Sequence, residues 1–246
     1  MSEYITDVYL PTKGRIYPEE SKIPEKVRLR SMTTKEEKII YGSTDNAIEE
    51  VLQACIIEPE GLKVGELIAA DSMVMLIDLR MVSYGTDYRV GFQCSECGKK
   101  NAEFVYDLTE LEKYDLSEDF QEPLEIKLPR SGDTLGVFFL RNKDFKEIDK
   151  WEKRIKKQSP EIAGNVGYIL RMASQIKVIN GDEVSQMEAK KYVEEMQGLD
   201  SAYFWNQINK VKVGYDLTLN KECSFCGADN DFELPVTAEF FRPVFE

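Results

Sequence analysis

Residues 94–98 read CSECG, and residues 223–227 read CSFCG. Each is a Cys-x-x-Cys-Gly turn, in which two thiols can bind the same ion and the glycine lets backbone amides approach the sulfurs. The two turns contain four of the five cysteines of the chain: Cys94, Cys97, Cys223 and Cys226. The sequence therefore predicts that these four thiolates bind one structural zinc ion in a tetrahedral arrangement.

The similarity between the two turns extends upstream of the cysteines. Residues 71–101 and 200–230 align without gaps at a constant offset of 129 positions, with more identities than their composition alone explains. LPTKG at residues 10–14 also has a counterpart, LPRSG at residues 128–132. The sequence therefore predicts an internal duplication. The identical pairs are Asp71/Asp200, Ser72/Ser201, Val82/Val211, Gly85/Gly214, Asp87/Asp216, Cys94/Cys223, Ser95/Ser224, Cys97/Cys226, Gly98/Gly227 and Asn101/Asn230.

The two predicted units are residues 1–115, with the first zinc knuckle, and residues 116–246, with the second. Their predicted fold class is α+β: two duplicated strand-helix-strand units joined by a composite four-cysteine zinc ribbon. Asp71 and Asp200 are the expected N-caps of the last helix of each unit. The acidic segment 111–125 is the expected linker between the units. Helices are predicted at residues 48–56, 71–80, 161–175, 185–195 and 200–209, and strands on both sides of each cysteine turn.

The composition is typical of a soluble globular protein with an acidic surface. The chain has 246 residues and a formal net charge of −13. Its N-terminus, MSEYITDVYL, lacks the basic and apolar stretches of a signal peptide, and no apolar run is long enough to span a membrane. We therefore expect a reducing cytoplasm, where Cys-x-x-Cys pairs favour metal binding over disulfides, although turns that bind nothing and disulfide pairs are the alternatives. The fifth cysteine, Cys55, is predicted to be a buried core residue rather than a reactive thiol.

No catalytic constellation is recognisable in the sequence. The chain contains no histidine, which removes the commonest general base and the usual nucleophile pairs. Neither a phosphate-binding P-loop nor a dinucleotide-binding glycine motif occurs. Four thiolates would also fill the coordination sphere of a zinc ion and leave no position for water. We therefore predict no catalytic residues, no organic cofactor and no enzymatic activity.

Nucleic-acid binding is the main alternative, because many zinc ribbons have that function. The net charge of −13 opposes it, since affinity for phosphate backbones comes mainly from lysine and arginine. The stretch 143–157 is an exception, rich in lysine but interleaved with acidic residues. It is interpreted as an exposed helix with internal ion pairs, with a binding patch as the alternative. If it binds anything, an acidic protein is a better partner than DNA.

Several short segments together carry a resemblance to a known family. They are LPTKGRIYP at residues 10–18, LRSMTTKEE at residues 29–37, LIDLR at residues 76–80, SYG at residues 83–85 and the first cysteine turn. This pattern, which covers mainly residues 8–108, resembles the T-even-type phage baseplate hub assembly protein family, also called the baseplate hub assembly chaperone family. The resemblance implies a non-enzymatic protein of contractile-tailed phages.

The expected partners are other baseplate hub or wedge proteins, with no nucleic acid and no membrane. The expected location is the host cytoplasm during assembly, with retention in the virion tail left open. The alternative function is a zinc-ribbon adaptor in nucleic-acid metabolism. Two aromatic segments are candidate contact elements: the N-terminal residues 4–17, and the tail at residues 240–245. We expect the tail to pack onto the core of the second unit, with insertion into a partner as the alternative.

Overall fold

The computed structural model describes residues 4–42, 47–158 and 166–241, and it has a mixed α+β fold. Part of the predicted helix 161–175 lies outside the described residues. None of the helices in these ranges is both long enough and apolar enough to cross a membrane. Seven α-helices occur within the described ranges: α1 (Thr34–Tyr41), α2 (Ala47–Cys55), α3 (Ala69–Tyr84), α4 (Asn142–Gln158), α5 (Val166–Gln175), α6 (Gln186–Glu195) and α7 (Gly198–Asn209).

The strands are short and form several small antiparallel sheets. In chain order they are β1 (Ile5–Tyr9), β2 (Lys26–Arg30), β3 (Ile56–Glu58), β4 (Asp87–Val90), β5 (Phe104–Asp107), β6 (Lys113–Tyr114), β7 (Leu124–Lys127), β8 (Thr134–Val137), β9 (Ile176–Ile179), β10 (Asp182–Glu183), β11 (Gly214–Tyr215), β12 (Thr218–Glu222) and β13 (Asp229–Glu233). One sheet has the order β1-β2-β3 and another the order β10-β9-β8-β7. The pairs β4–β5, β12–β13 and β6–β11 form two-stranded sheets.

Local sequence signals explain where the first helix begins. Thr33 is the N-cap of α1, and its hydroxyl accepts a hydrogen bond from the backbone N–H of Lys35. Glu36 in turn accepts from the backbone N–H of Thr33 at 2.8 Å, which completes a capping box. Arg30 at the end of β2 holds the same glutamate in a 3.0 Å ion pair. The start of α1 is therefore fixed to the first sheet.

The two aspartates at the starts of α3 and α7 do not cap their helices, so that prediction was wrong. The N-cap residues are Ile68 and Gln197, and Asp71 and Asp200 are each the third residue of their helix. Both aspartate side chains are almost completely buried. A buried carboxylate needs hydrogen-bond donors, and each finds them on a turn that is distant in sequence.

In both halves of the chain, that turn is the L-P-x-x-G turn. Asp71 accepts hydrogen bonds from the backbone N–H of Thr12 at 3.2 Å and from the Thr12 hydroxyl at 2.6 Å. The hydroxyl of Tyr17 donates to the same carboxylate at 2.6 Å. Asp200 accepts from the backbone N–H groups of Arg130 and Ser131, at 2.8 and 3.0 Å. The same contact between a turn and a helix is thus made twice.

The segment 111–125 is part of the folded structure, which corrects its interpretation as a simple linker. Within it, β6 pairs with β11, a strand that follows α7. The side chain of Leu116 is buried, and its backbone N–H donates to the carbonyl of Pro11 at 2.8 Å. Because its backbone polar groups pair with both halves of the chain, the segment connects them through tertiary contacts.

The described part of the aromatic tail packs in the core around α3, not in the core of the second half as predicted. Phe240 and Phe241 are fully buried there, and the ring of Phe240 makes an edge contact of 5.0 Å with Tyr88. The buried guanidinium of Arg80 donates from Nε to the carbonyl of Phe240 at 2.9 Å. The C-terminal 3₁₀ helix (Ala238–Phe241) is therefore attached to the N-terminal half of the chain. Residues 242–246 lie outside the described ranges.

Candidate metal centre

Each Cys-x-x-Cys turn connects the two strands of an antiparallel hairpin. The first turn lies between β4 and β5, and the second between β12 and β13. Gly98 and Gly227 follow the second cysteine of each turn with positive φ values of 70° and 72°. Their N–H groups donate to the carbonyls of Cys94 and Cys223, at 3.0 and 2.9 Å. The two turns therefore have the same backbone geometry, which favours glycine at this position.

The fold brings the four predicted ligands together. The Sγ atom of Cys94 lies 3.7 Å from that of Cys226, and the Sγ atom of Cys97 lies 3.8 Å from that of Cys223. All four sulfurs lie within 4.8 Å of one another. A tetrahedral zinc ion with Zn–S bonds of about 2.3 Å would separate its sulfurs by about 3.8 Å. The spacing of the sulfurs is thus compatible with a four-thiolate zinc ion.

Two asparagines connect the turns in a reciprocal manner. The side-chain oxygen of Asn101 accepts hydrogen bonds from the backbone N–H and the hydroxyl of Ser224, both at 2.9 Å. The side-chain oxygen of Asn230 accepts the same two hydrogen bonds from Ser95, at 2.9 and 3.1 Å. Each turn is therefore held by an asparagine that follows the cysteines of the other turn.

Hydrogen bonds to sulfur favour the thiolate form, which is the form that binds metals. The backbone N–H of Cys97 points at the Sγ atom of Cys94 at 3.5 Å and lowers the pKa of the Cys94 thiol. The side-chain amide of Asn101 donates to the Sγ atom of Cys223 at 3.4 Å. Asn101 thus contacts both the backbone and a sulfur of the opposite turn.

Aromatic side chains connect the two hairpins at the base of the cysteine cluster. The rings of Phe92 and Phe232 stack with centroids 4.8 Å apart, and Phe104 meets Phe232 edge-on at 6.4 Å. At the tip, the exposed ring of Phe225 lies 4.8 Å from the ammonium group of Lys99. The contact between the hairpins therefore has an apolar base in addition to the cysteines and asparagines.

The fifth cysteine has a different environment, as predicted. Cys55 is fully buried in the core beside Val51 and Leu52, and burial raises the pKa of its thiol to about 12. It is not part of the four-cysteine cluster.

The sequence pattern did not assign a role to Asn101 and Asn230, although their equal spacing from the cysteines was a usable signal.

Comparison with known proteins identifies the family. The model of the family described as "T4 bacteriophage base plate protein" matches residues 1–242. The chain belongs to this family. No match was found among curated proteins or among solved structures. The resemblance to T-even-type baseplate proteins is therefore confirmed at the level of a T4-type phage baseplate protein, over a much longer part of the chain than the segments that carried it.

Proposed function

We propose that this baseplate protein is a non-enzymatic assembly or structural component of the hub of a contractile phage tail. The observation that carries the proposal is the family match over residues 1–242. The assignment to the hub follows from the sequence segments, which resemble those of the baseplate hub assembly protein family. The protein works through contacts with other hub or wedge proteins. It acts in the host cytoplasm during assembly and stays in the virion baseplate.

We further propose that the protein binds one structural zinc ion through Cys94, Cys97, Cys223 and Cys226. The sulfur separations of 3.7 and 3.8 Å support this proposal, because they match the edge of a tetrahedral four-thiolate site. Such a site has no open coordination position. Its contribution is to hold the two hairpins together, and thereby the two halves of the chain.

The proposed internal duplication agrees with two pairs of matching contacts. The carboxylate of Asp71 binds the LPTKG turn, and that of Asp200 binds the LPRSG turn. Asn101 and Asn230 make reciprocal contacts across the cysteine turns. Contacts that recur at matched positions are the expected result of two copies of one ancestral unit that pair through their zinc knuckles.

We propose that β1 is a partner-binding strand. Tyr4 directly precedes it and Tyr9 ends it, and these side chains are 71% and 55% exposed. β1 is the edge strand of its sheet, and the N–H of Ser31 on the β2 side donates to the carbonyl of Tyr4. Because hydrogen bonding alternates along a strand, the backbone groups of Ile5 and Asp7 face away from β2. An outward row of such groups beside exposed aromatic rings favours the addition of a strand from a partner.

Co-expression with individual baseplate proteins of the same phage tests the proposal. We expect the protein to co-purify with at least one hub or wedge protein, and mass spectrometry of purified particles to detect it in the virion. Recovery of nucleic acid at physiological salt, without any tail protein, would instead favour a zinc-ribbon adaptor in nucleic-acid metabolism. A protein that assembles with hub proteins but is absent from particles would act only during assembly.

A further inference from the structure

One face of α4 carries a continuous row of positive charge. At about 100° per residue, six basic side chains fall within an arc of about 100° around the helix axis. The apolar side chains of Phe145, Ile148 and Trp151 lie on the other side, against the core. Of the acidic residues of α4, Glu147 and Asp149 flank the basic arc, one on each side. We call the six basic residues the cationic ridge: Lys143, Lys146, Lys150, Lys153, Arg154 and Lys157.

The N-terminal half of the cationic ridge binds carboxylates from the other half of the chain. The ammonium group of Lys143 lies 2.6 Å from a carboxylate oxygen of Glu66. The ammonium group of Lys146 lies 2.8 Å from a carboxylate oxygen of Glu49, which belongs to α2. The ridge therefore binds carboxylates from α2 and from the 3₁₀ helix Val64–Glu66. These two ion pairs indicate that carboxylate groups are suitable partners for the cationic ridge.

Three other residues of the cationic ridge have no ion-pair partner among the residues that the structure describes. Lys150, Arg154 and Lys157 are exposed, and no carboxylate in residues 4–42, 47–158 or 166–241 forms an ion pair with them. They follow one another at helical spacings of four and three residues, so their charges repel. In a chain with a net charge of −13, a row of three cations with no acidic partner in the described ranges indicates a surface that is neutralised by something else.

We propose that Lys150, Arg154 and Lys157 bind a carboxylate-rich segment of another protein, which extends the row of acidic partners begun by Glu66 and Glu49. Carboxylates are favoured over nucleic acid because three cations on an acidic chain would neutralise too few phosphates for useful affinity. This docking surface is separate from the cysteine cluster and from β1. It depends on neither the zinc ion nor the proposed strand addition.

Fluorescence anisotropy with a labelled peptide tests the proposal. The probe is an alanine-based helical peptide of about 15 residues with glutamates four and three positions apart, in buffer of about 50 mM salt. The triple variant Lys150→Gln/Arg154→Gln/Lys157→Gln should bind it roughly tenfold more weakly than the wild type. The control Lys63→Gln/Lys177→Gln/Lys191→Gln makes the same change in net charge at exposed positions elsewhere and should bind like the wild type.

A second variant tests the role of the internal carboxylates. Glu49→Gln/Glu66→Gln frees Lys143 and Lys146, so it should bind the peptide about threefold more tightly. Equal peptide affinity in the wild type and the α4 triple variant would overturn the proposal. Tighter binding of a DNA duplex than of the peptide would also overturn it, because the occupant would then be nucleic acid. A dimer that the wild type forms in sedimentation velocity and the α4 triple variant does not form would overturn it too, because the occupant would then be a second copy of the chain.

Discussion

The side-chain oxygen of Asn101 accepts two hydrogen bonds from Ser224, one from its backbone N–H and one from its hydroxyl, each at 2.9 Å. The amide nitrogen of Asn101 donates to the Sγ atom of Cys223. One side chain from the first hairpin thus contacts both the backbone and a proposed zinc ligand of the second. Outer contacts of this kind fix the direction of metal ligands.

We expect Asn101→Ala to lower the affinity for zinc by about tenfold or more, because it releases the second turn. Asn230→Ala should have a similar effect through Ser95. Competition with a chromophoric chelator measures both. The control is Asn220→Ala, which removes a hydrogen bond to Asp231 on the second hairpin but none to the cysteine turns. Equal zinc affinity in Asn101→Ala and Asn220→Ala would contradict this role.

We expect Asp71→Asn to reduce the free energy of unfolding by about 2–4 kcal/mol, because it places an amide donor against the buried donors of Thr12 and Tyr17. Asp200→Asn should cost about 1–3 kcal/mol, since Asp200 accepts from two backbone N–H groups. Urea denaturation measures both. Asp182→Asn, an exposed change in β10, should stay within about 0.5 kcal/mol of the wild type. The prediction fails if all three variants are equally stable.

The capping box of α1 should make stability depend on pH. The ion pair with Arg30, assisted by hydrogen bonds from Thr33, lowers the pKa of Glu36 to about 2. A carboxyl whose pKa is lower in the folded state stabilises the fold above its unfolded pKa, and this contribution is lost as the pH falls toward the folded value.

We therefore expect Glu36→Gln to be less stable than the wild type by about 3 kcal/mol at pH 7, with the difference reduced by more than half at pH 3. Urea titrations of both proteins across this range measure the difference. Glu50→Gln, an exposed change in α2, should differ from the wild type by no more than about 0.5 kcal/mol throughout. A difference for Glu36→Gln that does not change with pH would show that the ion pair contributes nothing.

Exposed aromatic side chains at β1 should determine partner binding. We expect Tyr4→Ala and Tyr9→Ala each to weaken association with a co-purifying baseplate protein by about 2 kcal/mol, while zinc content and thermal stability stay near those of the wild type. Met187→Ala is the control, because this side chain is also highly exposed but belongs to α6. If the double variant Tyr4→Ala/Tyr9→Ala co-purifies with its partner as well as the wild type does, β1 is not part of the interface.

The parts of the structure that follow from local signals were predictable from the sequence. Each Cys-x-x-Cys-Gly motif sets its own turn geometry, and the repetition of the motif predicted that the four cysteines form one cluster. Thr33 and Glu36 have the spacing of a capping box, a local pattern that indicates a helix start, and α1 begins there. The apolar surroundings of Cys55 predicted its burial.

Features that depend on distant parts of the chain were not predictable in the same way. An aspartate near a helix start can cap the helix or accept from another segment, and only the position of Thr12 beside Asp71 decides between these. The pairing of β6 with β11 gives structure to a segment whose composition resembles a linker. Phe240 packs near Arg80 because the chain returns to α3, which no local pattern encodes.

Native mass spectrometry of the purified protein tests the shared zinc site most directly. We expect one zinc ion per chain in the wild type and none in Cys94→Ser or Cys223→Ser, because each variant removes a ligand from the same tetrahedron. Cys55→Ser should keep its zinc ion and lose only about 1–3 kcal/mol of stability, as expected for a buried polar replacement. Two zinc ions per wild-type chain, or none, would contradict a single site built from both hairpins.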